Sequence, residues 1–234
     1  MVCIFMCITA IAYSQQNEKP YVILISLDGF RHDFPAMYPT PNLNAIAREG
    51  VKAKAMQPCF PTKTFPNHYS MVTGLYPDHH GIVANKFYDP ASGKTFALTT
   101  AEKSDPSFYS GEPIWNVAEA QGIKTAAYFW PGSDVPVNGR YPSIWKAYNK
   151  HTTLAQRLDS VVQWLQLPPE NRPHFIAIYL DQPDMAEHEF GPLSEEAKQQ
   201  VILTDSLIGI FQRAINDLPV ADKINLIIVS DHGL

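Results

Sequence analysis

Three segments carrying acids follow short apolar runs in this sequence: Asp28 after Tyr21–Leu27, Asp181 and Asp184 with His188 after Phe175–Leu180, and Asp231-His232 after Ile224–Ser230. If those runs are parallel strands, their carboxyl ends share one rim, and the groups converge without being close in sequence. Mixed Asp and His donors with an open position suit a catalytic zinc. They suit less well magnesium, which prefers all-oxygen coordination, or a structural site, which is rich in cysteine. The chemistry predicted is a hydrolytic metal centre. Each feature also has a simpler reading: Asp28-Gly29 as a turn, Asp184 and His188 as a surface pair four apart, Asp231-His232 as solvated residues. Their joint recurrence after strands favours a site. His32, His68, His79, His80, His151 and His174 lie in turns or beside aromatics and read as structural or exposed.

A second informative stretch runs from Gln57 to Tyr69 (QPCFPTKTFPNHY). Pro66 in the first turn of a helix reaching about Thr73 places Thr64 at or just before its N-terminus, where backbone N–H groups and the macrodipole favour a phosphate oxygen. A hydroxyl there becomes a nucleophile if a bound metal lowers its pKa. On spacing alone, the helix N-cap is the leading reading of Thr64.

The elements that must position these residues are legible as a pattern. Tyr21–Leu27, Thr125–Trp130, Phe175–Leu180 and Ile224–Ser230 are short, apolar and β-branched, as buried parallel strands are. Helical periodicity lies between them at Leu43–Arg48, Ile114–Gln121, Leu154–Leu165 and Ser194–Ile215. In the last of these, Val201, Ile202, Ile208, Phe211 and Ile215 recur at helical spacing behind Ser194-Glu195-Glu196. Strands alternating with helices predict an α/β fold: a doubly wound, mostly parallel sheet with helices on both faces. Residues 76–112, rich in Pro, Gly, Asp and aromatics, read as an ordered loop region or small insertion without a domain boundary. The chain stops at Ser230-Asp231-His232-Gly233-Leu234, directly after a strand, so a C-terminally incomplete domain is expected.

Composition bounds the function. Of 234 residues, 45% are hydrophobic and 18% charged, proportions of a folded domain and not of a disordered or coiled-coil chain. Lys plus Arg is 18 against 23 for Asp plus Glu, a net charge of −5, which gives no basic footprint for a nucleic-acid polymer. Val2–Tyr13 is almost continuously apolar, and Ala12-Tyr13-Ser14 offers small residues at a cleavage site, so residues 1–14 read as a signal peptide and residues 15–234 as the exported domain. No later stretch approaches the ~20 apolar residues of a transmembrane helix. Cleavage removes Cys3 and Cys7 and leaves Cys59 alone, so no intrachain disulfide is expected and a periplasmic or secreted location is predicted.

Four motifs in order, SLDGFRHDF, FPTKTFPNHYSMVTGLYPDHHGIVANKFYDP, YLDQPDMAEHEFGP and VSDHG, resemble the nucleotide pyrophosphatase/phosphodiesterase family of the alkaline phosphatase superfamily. The resemblance covers essentially the whole chain after the leader and implies an alkaline-phosphatase-like sheet. It further implies two zinc ions, one held by Asp28, Thr64, Asp231 and His232, the other by Asp184, His188 and a third histidine beyond Leu234. Thr64 matches the nucleophile and Asn85 the residue that holds a phosphate oxygen. Phe65 and Tyr179 match rings that sandwich a nucleobase, although either also suits a core position. The implied reaction is zinc-dependent hydrolysis of a phosphodiester or pyrophosphate through a covalent threonyl intermediate, with two metals stabilising the entering and leaving oxygens. Small nucleotides or related diesters are the expected substrates, with lipid-type diesters an alternative within the family.

Rival readings are specific. Cys59-Phe60-Pro61-Thr62-Lys63 approaches the C-x-P-x-R pattern of sulfatases, but Lys63 stands in place of the arginine. A phosphomonoesterase would use serine and a nearby arginine, whereas threonine stands at the matching position, Thr64, and the segment holds no arginine. A metal- or nucleotide-binding fragment without turnover is the reading outside enzymes.

Overall fold

The structure, a computed structural model, describes residues 19–234; the signal peptide read at residues 1–14, with Cys3 and Cys7, lies outside the described residues. The chain runs β1 (Tyr21–Leu27), α1 (Phe34–Met37), α2 (Pro41–Glu49), α3 (Thr64–Thr73), α4 (Pro77–His80), β2 (Lys86–Asp89) and β3 (Lys94–Ala97). It continues through α5 (Ile114–Ala120), β4 (Thr125–Tyr128), β5 (Ile144–Lys146), α6 (Leu154–Leu165), β6 (Phe175–Leu180), α7 (Asp184–Phe190), α8 (Glu195–Asn216) and β7 (Ile224–Val229). Five strands form one parallel sheet in the order β5-β4-β6-β1-β7, and β2 and β3 form a separate antiparallel hairpin.

The apolar runs become strands because burial on both faces demands it. All six residues of β6 are buried, and β1 sits between β6 and β7 with Ile23, Ile25 and Leu27 inside the core. The run from Thr125 ends two residues earlier than predicted, since Phe129 takes a left-handed φ of 38° that a strand cannot continue. The helix expected to carry Pro66 in its first turn begins at Thr64 and ends at Thr73, with Lys63 in extended conformation before it. Residues 76–112, expected as an ordered loop region, hold α4, the hairpin and two 3-10 turns. The three-residue β5 has too short an apolar pattern to be read from sequence.

Two helix groups flank the sheet. Helices α2, α6, α7 and α8 pack with one another, while α3, α4 and α5 form the second group. Helix α8 starts as predicted, the Ser194 hydroxyl accepting the Ala197 N–H at 3.1 Å. Its buried Asp205 caps α2 from outside, accepting the Leu43 N–H at 2.8 Å and the Asn42 side-chain amide at 2.7 Å. Helix α6 opens with a capping box between Thr153 and Gln156.

Asp181, one of the acids expected at the rim, is claimed by the fold. Its Oδ2 accepts from Arg157 of α6 at 2.8 Å and from the Tyr148 hydroxyl at 2.9 Å. The guanidinium is buried and also donates to the Tyr179 carbonyl at 3.2 Å, tying α6 to the end of β6. Removing one partner of such a pair strands the other charge in the interior, which costs about 3–5 kcal/mol. Arg157→Ala should therefore lower stability by about that amount in denaturant melts, and adding Asp181→Asn should recover part of the loss; an unchanged midpoint in the single variant contradicts this role.

Candidate active site

The site lies where β1, β6 and β7 end. Asp28 follows β1, Asp184 opens α7 after β6, and Asp231-His232 follows β7, so the parallel order brings the three segments to one rim. Main-chain N–H groups lock them together: that of Asp184 donates to the Asp28 carbonyl at 3.1 Å, and that of Gly29 donates to the Asp231 side chain, at Oδ1, at 3.3 Å. Gly29 takes a φ of 72°, the left-handed conformation that lets the chain turn immediately behind Asp28.

Donor atoms of Asp28, Asp231 and His232 all lie within 4.8 Å of one another. His232 Nε2 stands 3.4 Å from Asp28 Oδ1, 3.2 Å from Asp231 Oδ2 and 3.3 Å from Thr64 Oγ1. The predicted first metal set is thus gathered around one point, with Thr64 at the start of α3 beside it. Asp184 and His188 also pair, Oδ1 to Nε2 at 3.4 Å, but on a helix and not in the loop expected; their spacing of four places them on one face of α7.

The charge balance of the cluster is its main physical feature. Asp28, Asp184 and Asp231 are buried, and Asp28 Oδ1, Asp184 Oδ1 and Asp231 Oδ2 have no hydrogen-bond donor. Histidine nitrogens stand 3.2–3.4 Å from them. Burial pushes all three carboxyls up, Asp231 to about 7, and the Asp231 charge pushes Asp28 further. Burial likewise lowers His232, which favours the neutral imidazole that a metal requires. Orphaned carboxylate oxygens, a neutral imidazole and a hydroxyl converging on one point fit a zinc-type cation. Glu187, which the sequence did not single out, belongs to the same rim: it is 2% exposed, neither oxygen has a partner, and burial followed by the Asp184 charge pushes it up to about 7.

Supporting residues surround the donors. His68 is buried, as its structural reading required: Nδ1 bonds the Thr64 carbonyl at 2.7 Å, and Nε2 bonds Ser26 Oγ at 2.8 Å, which fastens the first turn of α3 to β1. Asn85 meets the N-terminus of α3, its Oδ1 accepting the Phe65 N–H at 3.0 Å, so both groups expected to hold phosphate oxygens stand together and satisfy each other.

The two predicted base-stacking rings are placed differently from expectation. Phe65 is 5% exposed and packs edge-on to Phe96, while Tyr179 is 8% exposed, donates its hydroxyl to Asp28 Oδ2, and is enclosed by His68, Phe129 and Tyr148. Tyr179 thereby positions Asp28. Of the three rings around it, only Tyr148 is not buried. A cavity of about 640 Å³ lies between α6, α7 and α8 above Arg157 and Asp181; its lining includes none of Asp28, Thr64, Asp231 or His232.

Comparison with known proteins places this arrangement. Residues 22–234 match the family model described as type I phosphodiesterase / nucleotide pyrophosphatase. Human ectonucleotide pyrophosphatase/phosphodiesterase family member 1 is 45% identical over 219 residues, which is 93% of this chain and 24% of that protein. Venom phosphodiesterase from Macrovipera lebetinus is 40% identical over 93% of this chain and 26% of its own length. Among solved structures, an inactive variant of murine ectonucleotide pyrophosphatase/phosphodiesterase 5 in complex with AMP superposes with a TM-score of 0.88 at 31% identity, over 92% of this chain and 57% of that one. The human form of that protein gives 0.87 at 34% identity. The chain thus spans about a quarter of the length of the curated relatives it matches. With its fold, motifs and rim of donors in agreement, this chain belongs to the type I phosphodiesterase / nucleotide pyrophosphatase family.

Proposed function

We propose that the protein hydrolyses phosphodiester or pyrophosphate bonds of nucleotides through a covalent intermediate on Thr64, in a reaction that depends on divalent zinc. The observation that carries this reading is the position of Thr64 Oγ1, 3.3 Å from His232 Nε2 at the edge of the Asp28–Asp231–His232 donor group. Zinc ions held by Asp28, Thr64, Asp231 and His232, and by Asp184 with His188, would neutralise the buried carboxylates, lower the pKa of the hydroxyl and stabilise charge on the entering and leaving oxygens.

Within that frame the chain's residues have distinct tasks. Thr64 Oγ, having lost its proton, attacks phosphorus; the bond to the leaving oxygen breaks on the opposite side, and water then cleaves the phosphothreonine. Asn85 and the Phe65 N–H, now bonded to each other, turn to the equatorial phosphate oxygens when substrate enters, at the positive end of α3. Tyr179 keeps Asp28 oriented, which leaves Tyr148 as the ring with an accessible face for an aromatic base. The AMP complex of the murine relative supports a nucleotide over a lipid-type diester.

A sulfatase-type reaction at Cys59 is disfavoured because its sulfur faces Ser70 Oγ at 3.4 Å and its N–H donates to Asn67, whereas Thr64 carries the hydroxyl at the donor group. Export is supported by the apolar start of the sequence, and relatives named ecto-enzymes and venom enzymes favour a secreted or cell-surface location over the periplasm. Among the described residues no helix is long and apolar enough to cross a membrane.

At its full natural length the protein should cleave p-nitrophenyl-thymidine monophosphate in preference to p-nitrophenyl phosphate. Thr64→Ala should reduce turnover at least about a thousandfold, as loss of a nucleophile does, and chelator should abolish it. Activity surviving in the variant contradicts the nucleophile. Glu187 and Asp231 sit near 7 when folded, against ordinary values of 4.5 and 3.8, so their stabilising protonation is complete below the unfolded values and is lost as pH rises through about 7. The buried His68, His80 and His232 are lowered, so they are neutral when folded and at most half protonated when unfolded above pH 6.5, and the raised carboxylates outweigh them. The melting temperature of the metal-free chain should therefore fall between pH 6.5 and 8, and saturating zinc should remove the fall; a flat metal-free profile contradicts the unpaired-carboxylate account.

A further inference from the structure

Ser26 is the one small polar residue in the apolar strand β1, and it is fully buried, in register with Tyr179 of β6 on one side and Val229 of β7 on the other. A hydroxyl in such a place costs free energy unless it is bonded. Its partner is the imidazole of His68, with Ser26 Oγ 2.8 Å from Nε2. The other ring nitrogen, Nδ1, stands 2.7 Å from the Thr64 carbonyl and 3.4 Å from Asp231 Oδ2. Ser26, His68 and Asp231 thus follow the order of a hydrolytic serine triad, but Ser26 and His68 are both 0% exposed. No substrate reaches that hydroxyl, so the chain of contacts serves the residues beside it.

The direction of each bond follows from what the atoms can do. The Thr64 carbonyl can only accept, so the proton of the neutral ring sits on Nδ1. Nε2 then carries a lone pair, and the Ser26 hydroxyl donates to it. Burial lowers His68 and keeps the ring neutral. The ring is also held against turning. Trp130 and Tyr179 pack edge-on to it at 5.0 and 5.2 Å between centroids, and Trp130 Nε1 donates to the His68 carbonyl at 2.9 Å. One N–H in a fixed direction therefore faces both the backbone of Thr64 and the carboxylate of Asp231.

We propose that His68 is a positioning residue for the reaction: its Nδ1–H, backed by Ser26, sets the first turn of α3 against Asp231 so that Thr64 Oγ keeps its place beside His232. The proposal rests on Thr64 as the nucleophile. It goes beyond an anchor between α3 and β1, because an anchor needs only the Ser26 bond, whereas positioning needs the proton on Nδ1.

The test compares wild type, His68→Asn, His68→Gln and Ser26→Ala in the protein at its natural full length. An asparagine amide falls near the place of Nδ1 and still donates to the Thr64 carbonyl, whereas a glutamine amide reaches the place of Nε2 and keeps only the bond to Ser26. His68→Gln should lower kcat for the diester about 10–100-fold at unchanged KM, as loss of a supporting hydrogen bond does, and His68→Asn should retain most of it. Ser26→Ala should lower kcat less than His68→Gln, since the ring loses its backing and keeps its proton. Nitrogen-15 NMR of the wild type at pH 8 should show a His68 ring protonated on Nδ1 alone, in a signal that the His68 variants lack. Equal losses of kcat and melting temperature in His68→Asn and His68→Gln would overturn the proposal in favour of a plain anchor. A proton on Nε2, or an unchanged kcat in Ser26→Ala, would also overturn it. If either His68 variant folds poorly, the wild-type NMR signal and Ser26→Ala decide alone. Activity surviving in Thr64→Ala would reject the nucleophile on which the proposal rests, whereas a wild-type kcat in His68→Gln beside an inactive Thr64→Ala would reject His68 alone.

Discussion

The repulsion among buried carboxylates at the end of one parallel sheet is the constraint around which this molecule is arranged. Asp28, Asp184, Glu187 and Asp231 leave five oxygens without a hydrogen-bond donor among the described residues. Interior carboxylates in such company either keep their protons or collect a cation. The surrounding structure holds the acids together against that repulsion through a network of neutral donors. Tyr179 bonds Asp28, the Gly29 N–H bonds Asp231, and the start of α7 is tied to β1 by a main-chain bond. The site is therefore preorganised for a positive charge before one arrives.

The same constraint explains what lies behind the first row of residues. His68 spends both ring nitrogens joining α3 to β1, so the helix that carries Thr64 cannot drift from the strand that carries Asp28. The buried Arg157–Asp181 pair performs the corresponding task between α6 and β6, and it withdraws from the rim one acid that would otherwise add to the repulsion. Positions in the site thus derive their precision from the packed α/β scaffold and little from the loops themselves.

Much of this was legible in the sequence, for physical reasons that differ from residue to residue. Tyr21–Leu27 and Phe175–Leu180 were readable because strands buried on both faces are apolar without alternation. Asp28 and Asp231-His232 were readable because parallel strands deliver their carboxyl ends to one edge. The choice between Asp181 and Asp184 was not: it depends on Arg157 arriving from another helix. Tyr179 was read as a ring for stacking, because its hydroxyl's partner, Asp28, stands on the neighbouring strand's end and only the register of β1 against β6 brings them together. Glu187 passed unnoticed, since a glutamate between Asp184 and His188 looks like any solvated helix residue until Gly29 is seen to open space for it.

The central claim, that the rim is built to hold divalent cations beside a nucleophilic threonine, is tested most directly by anomalous diffraction at the zinc edge from crystals grown with zinc and a nucleoside monophosphate. The account predicts a peak about 2.0–2.2 Å from oxygens of Asp28 and Asp231 and a nitrogen of His232, with the phosphate between it and a second peak near Asp184 and His188, and Thr64 Oγ facing phosphorus. Zinc peaks elsewhere on the surface, with this rim empty and the nucleotide bound away from Thr64, would contradict it.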